Sequence, residues 1–127
     1  MLFFGRNRGI GDEVSKYQFI FERVKTMLDI KKEQNGSELK LILVGKLSIQ
    51  EAKALGQVVD DELADVTNLT FDLKELNYVS SAGLRVLLTA QNIMDEAGGR
   101  MTLVNVPPFI KDVLRLTGFN KFMTIED

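Results

Sequence analysis

The hydroxyl groups best placed to do chemistry in this 127-residue chain are those of Ser80 and Ser81, directly after Val79 and where a helical pattern begins at Ser81 or Ala82. The N-terminus of a helix has backbone N–H groups with no partner inside the helix and carries the positive end of its dipole, so anions and hydroxyl oxygens are favoured there. A serine in that place has two compatible readings. It is an N-cap worth about 1 kcal/mol to the helix, or a surface hydroxyl that another protein's active site can modify. Ser48 and Glu51 form a second group of this kind, at capping-box spacing, in which hydroxyl and carboxylate would satisfy backbone N–H groups of a first helical turn.

The residues the chain lacks narrow the chemistry further. With no Cys and no His, it offers no thiol nucleophile, no Cys or His metal site and no imidazole base for a serine hydrolase. A lysine could replace that base, but the nearest in sequence to Ser81, Lys74, is expected on a turn with no reason to point inward. No loop of alternating acidic ligands and no glycine-rich phosphate cradle is found, so no catalytic residue, metal or cofactor is expected. The chain reads as a non-enzyme. Sixteen basic against 18 acidic residues give a net charge of −2 and no electrostatic reason to bind nucleic acid. No apolar run approaches the roughly 18 residues of a membrane span. Proteins are therefore the expected partners, and the cytoplasm the expected compartment.

Around these serines the pattern alternates strands and helices. Leu28 to Gln34 reads as a strand, and Asn35-Gly36 as a hairpin turn whose two positions want positive φ. Leu39 to Val44 is nearly continuous apolar sequence, expected in a central strand covered on both faces. Ala52, Leu55, Val59 and Leu63 recur at helical spacing after Ser48. Leu69 to Leu73 is a further strand, followed by a turn over Lys74 to Val79 and a helix from about Ser81 to Ala97 that Gly98-Gly99 ends. Met101 to Val106 is a strand, and Pro107-Pro108 opens a helix. Phe109, Val113 and Leu116 are its expected buried stripe and Gly118 its end; Phe122 to Ile125 is a last strand. The fold class is α/β: an initial hairpin, then β-α-β crossovers giving a mostly parallel mixed sheet with helices packed on it.

Residues 1–26 form an N-terminal extension to the domain of residues 27–127 and hold half of the aromatic residues. Val14, Tyr17, Phe21, Val24 and Leu28 follow the spacing of an amphipathic helix that Asp12 could cap. Such a helix packs on its own domain, or serves as a dimerisation or partner-docking element, with a homodimer through residues 14–28 as one form. Translation starting at Met27 is the remaining reading.

The stretch Phe71-Asp72-Leu73-Lys74-Glu75-Leu76-Asn77-Tyr78-Val79-Ser80-Ser81-Ala82-Gly83-Leu84-Arg85-Val86-Leu87-Leu88 closely resembles the motif of STAS domains, the family of bacterial anti-sigma-factor antagonists. The likeness extends over residues 27–127, including Gly45-Lys46-Leu47-Ser48 and Leu116-Thr117-Gly118-Phe119. It implies a partner-switching cycle. The antagonist binds an anti-sigma factor that is also a serine kinase and so releases a sigma factor; phosphorylation of one serine ends that binding, and a PPM-type phosphatase restores it. On this resemblance the phosphorylated serine falls on Ser81, with Ser80 as a fallback acceptor. Ser80 and Ser48 stand where the family has acids, and Ala82 where it has a second hydroxyl, which leaves a non-phosphorylated STAS scaffold in a larger signalling or transport complex as the alternative. Partner contacts are expected from Ser48, Ser80, Ala82, Gly83, Leu84 and Leu88.

A phosphate on Ser81 would bring about −1.5 to −2 charges to a helix N-terminus, changing the docking surface while leaving the fold intact. A helical wheel places Val86, Leu87, Ala90, Ile93, Met94 and Ala97 on the core face. Leu84 and Leu88 fall outside that arc, where either a neighbouring helix covers them or they form an exposed docking stripe beside Ser81. Gly83 inside a helix costs roughly 1 kcal/mol relative to alanine, which a close approach of a partner or neighbouring segment would explain.

Overall fold

The computed structural model describes residues 27–126. β1 (Leu28–Asn35) and β2 (Glu38–Leu47) form the hairpin, followed by α1 (Ile49–Glu62), β3 (Asn68–Val79), α2 (Ser81–Glu96), β4 (Arg100–Val104), α3 (Pro108–Thr117), a 3-10 turn (Phe119–Lys121) and β5 (Thr124–Glu126). The strands lie in the order β1-β2-β3-β4-β5, with β1 antiparallel to β2 and every later pair parallel. This is the α/β arrangement the alternation of patterns implied.

Each β-α-β connection steps one strand in the same direction along the sheet. Right-handed crossovers taken always in one direction put all three helices on one face. Burial follows this. Leu39, Leu41 and Leu43 of β2, Leu69, Phe71 and Leu73 of β3, and Met101 and Leu103 of β4 are buried beneath Leu55 and Val59 of α1, Leu87, Ala90 and Met94 of α2, and Ile110 and Leu114 of α3. The alternate residues Ile42, Val44, Thr70, Thr102 and Val104 are only half-buried. The sequence led us to expect β2 to be covered on both faces; among the described residues, helices lie on one face only.

Several boundaries move for physical reasons. Asn35 pairs with Glu38, so the two-residue turn is Gly36-Ser37, one position later than read from the sequence. Only Gly36 has positive φ (64°), which suits a turn that needs it at the first central position alone. β3 does not stop at Leu73. It runs on to Val79 through two register shifts against β2, between Ile42 and Val44 and between Gly45 and Lys46. The carboxylate of Asp72 holds the first irregularity: Oδ1 accepts from the Lys74 N–H and from Asn105 Nδ2, both at 3.1 Å, while Lys40 Nζ lies 3.8 Å from Oδ2. Polar Lys74 and Glu75, which read as a turn, are the exposed residues of a bulged strand.

In α3 the buried residues are Ile110 and Leu114; Val113 is half-buried, and Phe109 and Leu116 are exposed. The stripe read from the sequence lay on the flank of this short helix. Phe122 likewise is exposed, since the 3-10 turn intervenes before the last strand. Among the described residues, no helix is long and apolar enough to cross a membrane.

A candidate docking face at the carboxyl ends of the parallel strands

The carboxyl ends of β2 and β3 lead directly into the N-termini of α1 and α2, which brings Ser48, Ser80 and Ser81 to one end of the sheet. In open α/β sheets this is the end at which ligands bind. Leu47 pairs with Val79, and the Ser80 N–H donates to the Leu47 carbonyl at 2.9 Å, so the two strand ends are joined just before each helix begins.

The two adjacent serines divide the two roles between them. Ser80 is the N-cap of α2: its backbone is extended (φ −89°, ψ 168°), and its Oγ accepts from the Gly83 N–H at 3.1 Å. It is 6% exposed. A hydroxyl so enclosed and already engaged is out of reach of a kinase, which removes Ser80 as the fallback acceptor and as a direct contact residue. Ser81, the first residue of α2, is exposed. Ser80→Ala should therefore cost about 1–2 kcal/mol through the lost cap and the unpaired Gly83 N–H. A lowered urea midpoint at unchanged m-value, with phosphate uptake unaffected, is the expected result.

Ser48 also has an N-cap backbone, but its hydroxyl accepts from no backbone N–H of the first turn of α1. It donates to Glu51 Oε1, and Glu51 Oε2 accepts from the Met27 N–H at 3.2 Å. The reciprocal capping box read from the sequence is thus replaced. Glu51 is 7% exposed, and its carboxylate reaches to Met27, just before β1, instead of back to the N-cap amide. The reason is that the hairpin brings Met27 over this helix end. There Gly45 takes φ 114°, and the Met27 carbonyl accepts from the Lys46 N–H at 2.8 Å.

Gly83 is buried, and a Cβ at its position would stand 2.6 Å from Leu47 Cγ and 3.1 Å from the Leu47 carbonyl oxygen. A neighbouring segment of the same chain, not a partner, accounts for this glycine. Leu84 is 4% exposed, and Leu88 is half-buried against the core. The exposed docking stripe through Leu84 and Leu88 is therefore corrected, as is the wheel's placing of Leu84 outside the core arc; Leu88 lies on the flank of that arc. The buried residues Gly83, Leu84, Leu87, Ala90, Gln91 and Met94 lie within about 60° of Leu87 on the wheel. Val86 and Ile93 are half-buried on one flank and Ala97 is exposed. Val86 faces α1 near Gly56, so an apolar helix–helix flank had drawn the expected arc toward itself. Polar Gln91, inside the true arc and donating to Asp95 Oδ1 at 2.9 Å, was not counted.

Ala82 is half-buried against the core. Exposed apolar side chains of this end include Ile49, directly after Ser48, and Tyr78, which pairs with Lys46. Neither was singled out from the sequence. Ile49 stands at a helix start, outside the run that anchors the core, and Tyr78 lay in the presumed turn. Lys74 is separated from Val79 by five strand steps, roughly 15 Å, too far to act as a base for Ser81. Among the described residues, no group of three or more carboxylates is placed to hold a metal ion.

A family model described as "Mlab, STAS domain" matches residues 30–125. BtrV of Bordetella bronchiseptica, named as an anti-sigma factor antagonist, is 33% identical over 69 residues, a match that spans 54% of this chain and only 56% of BtrV. The anti-sigma F factor antagonist of Paenibacillus polymyxa is 26% identical over 102 residues, 79% of this chain and 87% of its own. Among solved structures, the anti-sigma factor antagonist SpoIIAA superposes with a TM-score of 0.59 in its unphosphorylated form and 0.58 in its phosphorylated form. Each SpoIIAA match is 17% identical over 78% of this chain, covering 88% and 92% of the respective SpoIIAA chain.

Proposed function

The chain belongs to the STAS domain family, and from that premise we propose that it is an anti-sigma factor antagonist, a cytoplasmic partner switch governed by phosphorylation of Ser81. It binds an anti-sigma factor with serine kinase activity through the end of the sheet that carries Ser48, Ser81, Ile49 and Tyr78, and so releases a sigma factor. A PPM-type phosphatase resets it. The observation that carries this reading is the division of labour at the start of α2: Ser80 is enclosed as the cap, while Ser81 is exposed at the positive end of the helix. The relatives named as anti-sigma factor antagonists support the same role.

The helix needs nothing from the Ser81 hydroxyl, because Ser80 already supplies the cap. That hydroxyl can therefore gain a phosphate without cost to the fold, and the dianion meets favourable N–H dipoles there. The surface a partner would meet changes sharply in charge and bulk. The test is incubation of the purified chain with the host's anti-sigma kinase and ATP. One phosphate per chain on Ser81, with loss of the complex, is expected; a complex that persists after full phosphorylation would reject the switch.

A second reading, a non-phosphorylated scaffold subunit of a larger signalling or transport complex, is favoured by the hydroxyls at positions 48 and 80, where the resemblance places acids. Stable co-purification with non-kinase proteins, and no phosphoserine in protein from the host, would select it. A homodimer through residues 14–28 loses its last member in either case, because Leu28 is a buried strand residue. Residues 14–26 lie outside the described residues.

A further inference from the structure

β1 stands at one edge of the sheet and, among the described residues, pairs with β2 alone. The bond from the Lys46 N–H to the Met27 carbonyl fixes which of its residues turn their main chain toward β2. Bonding alternates along an antiparallel pair, so Asp29, Lys31, Glu33 and Asn35 exchange bonds with β2. The N–H and carbonyl groups of Leu28, Ile30, Lys32 and Gln34 therefore point out from the sheet, as a template for another strand.

Sheet edges are commonly blunted by a bulge, a proline or extreme shortness. β1 has none of these: it runs for eight residues without proline, in unbroken register with β2. The opposite edge, β5, has only three residues. What guards β1 is charge, in the exposed side chains of Asp29, Lys31, Lys32 and Glu33.

That charge pattern excludes most ways of meeting a second copy and favours one. A two-fold antiparallel pairing sets one residue directly opposite itself, and like charges so placed repel. An axis at Asp29, Lys31, Lys32 or Glu33 would oppose a charge to its own kind. An axis at Leu28 or Gln34 falls at an end of the strand and leaves little of it paired. An axis at Ile30 has neither fault. Ile30, half-buried, then meets Ile30 of the second copy, and Asp29 meets Lys31 in both directions on the face away from the helices. Lys32 lies opposite Leu28 and keeps its bond to Glu62 Oε1 of its own chain, at 2.7 Å. Leu28, Ile30 and Lys32, whose main-chain groups point outward, supply the bonds between the two strands.

We propose that the outer edge of β1 is a self-association site, at which two copies pair antiparallel about Ile30 into one continuous sheet. The axis reverses strand direction between the copies, so their docking ends face opposite ends of the joined sheet. On the function proposed above, each copy then holds its own anti-sigma factor without competing with the other. That consequence rests on that reading, whereas the pairing does not.

Sedimentation of the full chain between about 10 µM and about 1 mM should show monomer passing to dimer, the weak range expected of so small an interface. Asp29→Lys turns both cross-strand ion pairs into lysine against lysine, and should raise the dissociation constant at least about tenfold; Lys31→Asp should do the same. Combining Asp29→Lys with Lys31→Asp restores both pairs and should return the affinity to that of the wild type. In the unaltered chain, amide exchange at Ile30 should slow as concentration rises, while that at Gln34, which also points outward but lies outside the pairing, should not. A chain that stays monomeric at about 1 mM would overturn the proposal. So would a dimer that the single reversals leave intact, which would place the contact on another surface, or a double variant no tighter than the single ones. Neither kinase nor anti-sigma factor enters these measurements, so failure here is distinguishable from failure of the switch.

Discussion

Ser81→Ala is expected to take up no phosphate from the kinase that modifies the wild-type chain, while its binding to the anti-sigma factor and its urea midpoint stay close to those of the wild type. Stability should hold because the cap of α2 is the hydroxyl of Ser80, bonded to the Gly83 N–H, and the Ser81 hydroxyl does not cap the helix. Ser81→Glu should separate the two effects of charge. At the first position of a helix a carboxylate gains a few tenths of a kcal/mol from the dipole, so the fold is unharmed or slightly stabilised. At a docked interface the same charge must be desolvated, or be set against a surface that has no cation for it, at a cost of several kcal/mol. The mimic should weaken the complex by about a hundredfold or more, and the true phosphate, with roughly twice the charge and three acceptor oxygens, by more still. Titration calorimetry on the three proteins, with thermal unfolding alongside, reads both effects. Undiminished phosphate incorporation into Ser81→Ala would remove Ser81 as the acceptor.

Much of this arrangement is legible in the sequence where one physical requirement dominates a segment. The α1 stripe Ala52, Leu55, Val59 and Leu63 is fully buried as read, because a helix lying flat on a sheet must place one arc inward. Pro108 opens α3, and Gly118 ends it, also as read. The reading fails where two requirements compete. α2 meets both the sheet and α1, so its apolar residues cover two surfaces and blur the centre of the arc. β3 carries polar residues through a bulge, so its continuation to Val79 looked like a turn. At the site, two neighbouring serines are chemically identical in the sequence. Only the backbone, extended at Ser80 and helical from Ser81, decides which hydroxyl caps and which is exposed. The reach of Glu51 to Met27 was likewise hidden, since it depends on the hairpin bringing residues 24 positions apart together.

Gly45→Val is expected to produce the largest loss of stability of any single change at this end of the molecule. Gly45 sits within an interior strand, paired with Leu28 on one side and Leu76 on the other, and takes φ 114°, a conformation that side-chain-bearing residues rarely adopt. A Cβ there would lie 2.2 Å from the Met27 carbonyl oxygen, a backbone atom that cannot rotate aside. Strain at such a φ costs about 1–3 kcal/mol, and forcing atoms into an occupied site costs about as much again, so a loss of roughly 3–5 kcal/mol follows. Against the 5–15 kcal/mol typical of a whole domain this is a large fraction. Gly36→Ala supplies the contrast: φ is also positive, at 64°, but no atom lies within 4 Å of the new Cβ, so about 1 kcal/mol is expected. Urea unfolding of both variants checks the pair, and near-equal midpoints would mean that the close approach of Met27 does not constrain the fold. The damage should also reach the docking face. Moving the Met27 carbonyl away breaks its bond to Lys46, frees the start of β1 from Glu51, and shifts the end of β2, whose Leu47 carbonyl holds Ser80 and whose side chain packs on Gly83. At concentrations of urea well below its midpoint, Gly45→Val should therefore lose hydrogen-exchange protection first at Lys46 and Ser80, while the Leu69–Leu73 amides of β3 remain protected.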